Sequence, residues 1–178
     1  MKKLSLNELI VYHYPYSKEN PYQGLLFEAL RLHGVEPVPV NGLTHLLKES
    51  AFGKGDLMHL HWIHCHATDK SISRAIIGMV FFHFSLLLLR IRRIKIVWTV
   101  HNLVNHEKRR VWLDRINSIV VGRHAHKVLI HGKSAAQLVK NAFGTLDKKI
   151  HVVYHGNYDG RISPNPLIER NQPGVRFL

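Results

Sequence analysis

Short apolar runs alternate with helical stretches along most of this sequence, and that alternation is what most limits the folds open to it. Leu9 to Tyr12 reads as a first strand, followed by turn formers from Tyr14 to Pro21. A helix is expected from about Tyr22 to Leu32, where Leu25, Leu26, Ala29, Leu30 and Leu32 form an apolar stripe, with Gly34 as its stop. Strand-like Pro37 to Val40, a short helix around Thr44 to Glu49 and strand-like Leu57 to Leu60 come next. The pattern then repeats: helix Ser71 to Leu89, strand Lys95 to Val100, helix Lys108 to His124, strand Lys127 to Ile130, helix Ser134 to Phe143 and strand Ile150 to Tyr154. Strands separated by helices of this length pair in parallel through right-handed crossovers. The expected fold is therefore α/β, a doubly wound, mostly parallel Rossmann-like sheet over residues 1–155.

After Tyr154 the composition changes. Gly156 to Gly174 holds three prolines and three glycines and reads as a linker. Val175, Phe177 and Leu178 are apolar again, and this stretch is expected to be the start of a second domain that the sequence does not complete. The first residues carry two lysines but no apolar run after them, so no secretory signal is expected there. The single cysteine, Cys65, leaves no internal disulfide framework and suits a reducing compartment.

Charge narrows the partners. With 25 Lys and Arg against 12 Asp and Glu, the formal net charge is +13, which favours an anionic partner. Between Arg90 and Lys133 there are 11 basic and two acidic residues, a local net of +9, so the surplus is concentrated. Ile76 to Leu89 is 14 residues without a charge, too short for a confident membrane span. It reads either as a wholly buried helix or as a partly buried one with its basic end at a membrane, where Arg90, Arg92, Arg93 and Lys95 meet anionic lipid or a diphosphate. Helix-turn-helix, zinc-finger and aromatic RNA-binding patterns are missing, so nucleic acid is not an expected partner.

In open parallel sheets, ligands bind beyond the carboxyl ends of the strands. Five of the six expected strand ends carry a histidine: His13, His61, His101, His131 and His155. Two sharper-looking signals weaken on inspection. His59, His61, His64, Cys65 and His66, with Asp69 nearby, have the chemistry to bind zinc or copper. On a strand, however, His59 and His61 share a face while His64 to His66 fall in the following loop, so no metal site is expected. Gly132-Lys133-Ser134 sits where a phosphate-binding loop would end, but the leading glycine of G-x-x-x-x-G-K-S/T is replaced by Lys127. Ser134 is expected to cap its helix.

Five motifs in order carry a resemblance: Asn20-Pro-Tyr-Gln-Gly-Leu25, Asp56-Leu-Met-His-Leu-His-Trp62, Val97-Trp-Thr-Val-His-Asn102 with His106-Glu107, His126-Lys-Val-Leu-Ile-His-Gly-Lys-Ser134, and Val152-Val-Tyr-His-Gly-Asn157. Together they resemble the N-terminal domain of glycosyltransferase family 4, retaining enzymes of the GT-B fold. The resemblance implies an acceptor-binding domain, with a nucleotide sugar as co-substrate on a C-terminal domain and transfer in the cleft between, without a bound metal or other cofactor. It implies that His101 supports the transferred sugar and the transition state. Tyr22, Gly24, His61, Trp62, Asn102, His106, Glu107, His155, Gly156 and Asn157 would contact substrate. The implied setting is bacterial polysaccharide or glycolipid assembly, on a lipid-linked acceptor at the cytoplasmic face of the membrane.

One departure stands out. The family's donor site uses a C-terminal E-x7-E pair; here only Glu28 and Glu36 have that spacing, across the first helix and second strand. By itself the sequence given is therefore expected to be inactive. A non-enzymatic basic α/β module that holds phospholipid or nucleic acid is the competing class, and a hydrolase built on the histidines a third.

Overall fold

The structure, a computed structural model, describes residues 9–42, 56–106 and 108–156. Its strands are β1 (Leu9–Tyr14), β2 (Val35–Pro39), β3 (Leu57–Leu60), β4 (Lys95–Thr99), β5 (Lys127–Ile130) and β6 (Ile150–Val152). Between them run α1 (Pro21–Leu32), α2 (Ile72–Ile91), α3 (Val111–His124) and α4 (Lys133–Phe143). The six strands form one sheet in the order β2-β1-β3-β4-β5-β6, every neighbouring pair parallel. The expected Rossmann-like α/β architecture is thus the one observed. With right-handed crossovers, this order puts α1 on one face of the sheet and α2, α3 and α4 on the other. The helix expected around Thr44 to Glu49, and everything from Asn157 onward, lie outside the described residues.

Strand register sorts the side chains between the two faces. Met58 pairs with Ile96 and Leu60 with Trp98, and Trp98 pairs in turn with Val128. These residues join Phe82, Leu86 and Leu89 of α2, Val121 of α3 and Val139 of α4 in one buried cluster. Fully burying one such side chain contributes about 1.5–3 kcal/mol. The odd-numbered positions face the other way, and there the pattern is unusual. His13 pairs with His59 across β1 and β3, and with His61 and Thr99 both residues are buried.

Local chemistry sets the element ends. Asn20 caps α1 by accepting the Tyr22 N–H at 3.0 Å, and Pro21 occupies the first turn. The loop before it is held by buried Gln23, which accepts from the Ser17 N–H (2.7 Å) and donates to the Pro15 carbonyl (3.0 Å). Gly34, just past α1, takes the left-handed conformation (φ +73°) expected of a helix stop. At the end of α2 that conformation falls to Arg93 (φ 64°), and the Ile94 N–H returns to the Leu89 carbonyl at 2.9 Å.

Two expectations need correcting. Helix α3 starts at Val111 rather than Lys108, because the Asn105 side chain accepts from the Arg109 N–H (2.9 Å) and donates to the Arg109 carbonyl (2.8 Å). Lys108 and Arg110 meanwhile take positive φ angles of 50° and 45°. Ser134 does not cap α4: the helix begins at Lys133 with Gly132 in the cap position and no side-chain cap bond.

Candidate functional site

In this strand order β1 and β3 are adjacent, while the chain leaves them toward opposite sides of the sheet, which opens a crevice at their carboxyl ends. The histidine cluster sits there. His13 Nδ1 lies 2.9 Å from His61 Nε2, and His61 Nδ1 lies 3.4 Å from His101 Nε2. The His59 Nε2 is 2.7 Å from Thr99 Oγ1, with its ring 4.2 Å from that of His61. Outward from this buried group, the rings become accessible. Trp62 stacks on His101 (centroids 4.4 Å apart), His131 lies 5.2 Å beyond His101, and His155 lies 4.8 Å beyond His131.

Tyr22, at the start of α1, reaches across the rim. Its ring lies 4.8 Å from His101, 5.6 Å from His131 and 5.1 Å from His155. Beside it is a cavity of about 220 Å³, walled by Tyr22, Leu25, Leu26 and Ala29 on one side and by His131 and residues Val153 to Gly156 on the other. The His131 Nδ1 bonds the Val153 carbonyl at 2.9 Å, which ties the segment after β6 to the cavity.

Burial keeps the inner imidazoles, His13, His59, His61 and His101, neutral. It lowers the pKa of His13 to about 3 and pushes His59 and His61 well below the ordinary value. Burial also lowers His101 to about 3, reinforced by His131, His59 and other neighbouring imidazoles. An imidazole so hard to protonate is a weak base, ill suited to taking a proton from a hydroxyl. It is well suited to hydrogen bonding with hydroxyl or carbonyl groups, flanked by aromatic faces.

The metal question changes shape. The run His59, His61, His64, Cys65, His66 does not converge as a unit. His64 turns to Asp114 (2.6 Å), His66 bonds Tyr14 Oη (3.1 Å) and stacks on Phe82, and Cys65 is exposed. Instead β1 brings His13 to His59 and His61, with one nitrogen from each within 4.8 Å of the others. That set has the donor type for zinc. Yet His61 engages His13 and His101 through its two nitrogens, and one nitrogen of His59 engages Thr99.

Of the residues expected at the site, Tyr22, His61, Trp62, His101 and His155 come together, and Gly156 lines the cavity. Gly24 is exposed in the first turn of α1, and a Cβ there would meet nothing within 4 Å. Asn102 donates to His106 Nε2 at 3.2 Å on the exposed loop after β4. Glu107 and Asn157 lie outside the described residues. Arg92, Arg93 and Lys95 are exposed at the end of α2, whereas Arg90 donates to the Arg123 and His124 carbonyls that close α3. His13 and His131 were expected only as strand ends, and Asp114 only as a charge. Their roles come from contacts 9 to 50 residues away in sequence, to Asn105, His64, His61 and Val153.

Comparison with known proteins gives a fold likeness. No protein-family model and no curated protein sequence matches the chain. Among solved structures it is similar to HepE of Anabaena, determined in complex with UDP-glucose, with a TM-score of 0.52 and 13% sequence identity. The match covers 85% of this chain and 44% of that one, so the chain spans less than half the length of the protein it resembles. At this identity the likeness establishes the Rossmann-like α/β fold.

Proposed function

We propose that this chain is the acceptor-binding half of a GT-B glycosyltransferase that moves a sugar from a nucleotide sugar to a lipid-linked or membrane-associated acceptor. The observation that carries the proposal is the cleft of imidazoles and aromatic rings at the switch point, where Tyr22, Trp62, His101, His131 and His155 meet. Hydroxyl-rich ligands are held by such groups: ring faces pack on the apolar face of a sugar while imidazole nitrogens bond its hydroxyls. The fold likeness to a protein solved with UDP-glucose is consistent with this. On this reading His101 supports the sugar by hydrogen bonding, residues 156–174 lead to a donor-binding domain, and transfer proceeds with retention and without a metal.

The membrane part of the proposal draws on α2. It is long and apolar enough to cross a membrane by length and composition, and 33% of that stretch is buried in the fold. Its inner face, Ala75, Met79, Phe82, Ser85, Leu86 and Leu89, is buried, while Ile77, Val80 and Phe84 are exposed. A helix packed on one side and oily on the other, with Arg92, Arg93 and Lys95 at its end, suits docking on the anionic cytoplasmic leaflet rather than crossing it. The same face supports the second reading, a basic module that holds phospholipid without chemistry.

The two readings separate in one assay. The protein in its full reading frame is incubated with membranes and a panel of radiolabelled nucleotide sugars, and label is counted in the lipid extract. Incorporation that drops about a hundredfold in His101→Ala supports the enzyme. No incorporation from any donor by a folded, membrane-bound protein overturns it and leaves the lipid-binding module.

A further inference from the structure

Three histidines from the ends of three neighbouring strands form a line from the core to the cleft. His13 Nδ1 meets His61 Nε2 at 2.9 Å, and His61 Nδ1 meets His101 Nε2 at 3.4 Å. One nitrogen remains at each end. His13 Nε2 is buried and has no hydrogen-bond partner among the described residues. His101 Nδ1 belongs to a ring that is only partly buried, on the rim beside Trp62 and Tyr22.

A neutral imidazole has one N–H and one bare nitrogen, so a line of them donates in a single direction throughout. Burial holds all three in the neutral form at neutral pH. If donation ran inward, from His101 to His61 to His13, the last proton would sit on His13 Nε2. That would be an N–H sealed in the core with nothing to accept it, which folded proteins rarely tolerate. If donation runs outward, His13 Nε2 is a bare nitrogen and the last proton sits on His101 Nδ1.

We propose that the line is polarised outward, so that His13 and His61 act as positioning residues that present His101 to the cleft as an Nδ1–H donor. The ligand atom this selects is an oxygen with a free lone pair, such as a sugar hydroxyl or a carbonyl or phosphoryl oxygen. The inference rests on the glycosyl-transfer reading only for the identity of that ligand; the proton positions belong to the protein alone.

The test is nitrogen-15 NMR of the histidine rings in the ligand-free protein near neutral pH, with His101 assigned through a His101→Gln variant. The expected spectrum shows His101 with a protonated Nδ1 and a bare Nε2; the opposite pattern overturns the proposal. In His13→Phe the outward donor is gone, and the His101 signals should move to a mixed or reversed pattern. In His13→Asn, whose amide nitrogen stands where Nδ1 stood, the original pattern should return. A folded His13→Phe protein with unchanged His101 signals overturns the positioning role. So does saturable uptake of one zinc ion that shifts His13, His59 and His61 together, because their nitrogens would then be ligands. A failed transfer assay with the expected spectrum refutes the enzyme reading and leaves this one standing.

Discussion

His101 lies flat against Trp62, with ring centroids 4.4 Å apart and 16° between the planes, while Tyr22 meets His101 edge-on at 87°. The three rings hold one another in place without joining the main hydrophobic cluster. Aromatic pairs of this kind contribute about 0.5–1.5 kcal/mol beyond burial. Trp62→Ala is therefore expected to lower unfolding stability by about 1 kcal/mol and to weaken saccharide binding by severalfold, up to roughly tenfold. Titration calorimetry with acceptor and nucleotide sugar checks this; unaltered affinity would remove Trp62 from the site.

Asp114 is fully buried and holds two loops at once. Its Oδ2 accepts from the Asn105 N–H (2.8 Å) and side-chain amide (3.1 Å), and its Oδ1 contacts His64 Nδ1 at 2.6 Å. Asp114→Ala leaves those donors unpaired in the interior and should cost about 3 kcal/mol or more by urea unfolding. A loss below about 1 kcal/mol would show that the loops find other partners.

Acid should loosen the fold over a defined range. Burial lowers the folded pKa of His13 to about 3 against an ordinary value of 6.5, so between those values the unfolded chain binds a proton that the folded chain refuses. Stability then falls as pH falls from about 6.5 toward 3, by at most about 1.4 kcal/mol per pH unit for each such histidine, and levels off above 7. Thermal unfolding at pH 7, 6 and 5 should show this decline, and His13→Phe should make it shallower. An equally steep decline in the variant would assign the acid response to other groups.

The solvent face of α2 offers a clean separation of charge from oiliness. Arg92→Ala with Arg93→Asn, the asparagine chosen because position 93 is left-handed, removes two cations and should weaken binding to anionic vesicles roughly thirtyfold. Phe84→Glu should weaken binding to neutral and anionic vesicles alike. Sedimentation with vesicles of both compositions reads the result; a protein that ignores both removes the membrane from the proposed function.

The fold was legible because strand and helix periods alternate so regularly, and β3, β5 and the starts of β1, β4 and β6 fall where the apolar runs predict them. Residues 108–110 were not, since Asn105 bends the chain there and Lys108 and Arg110 adopt turn geometry without the glycine that would announce it. At the site, the strand-end histidines could be counted from the sequence. The contact between His13 and His61 could not, because it depends on β1 and β3 being neighbours, and no local pattern encodes which strands adjoin.

All six strands run the same way, so they deliver Tyr22, Trp62, His101, His131 and His155 to one rim, and none of these five belongs to the buried cluster below. Support and selectivity are thereby physically separate parts. Exchanging the short segments around those five rings would alter which molecule fits while Met58, Ile96, Trp98 and Val128 kept the scaffold intact. The domain is built as a chassis with a replaceable tool head, and loop grafting at this rim is the natural route to changing which ligand it accepts.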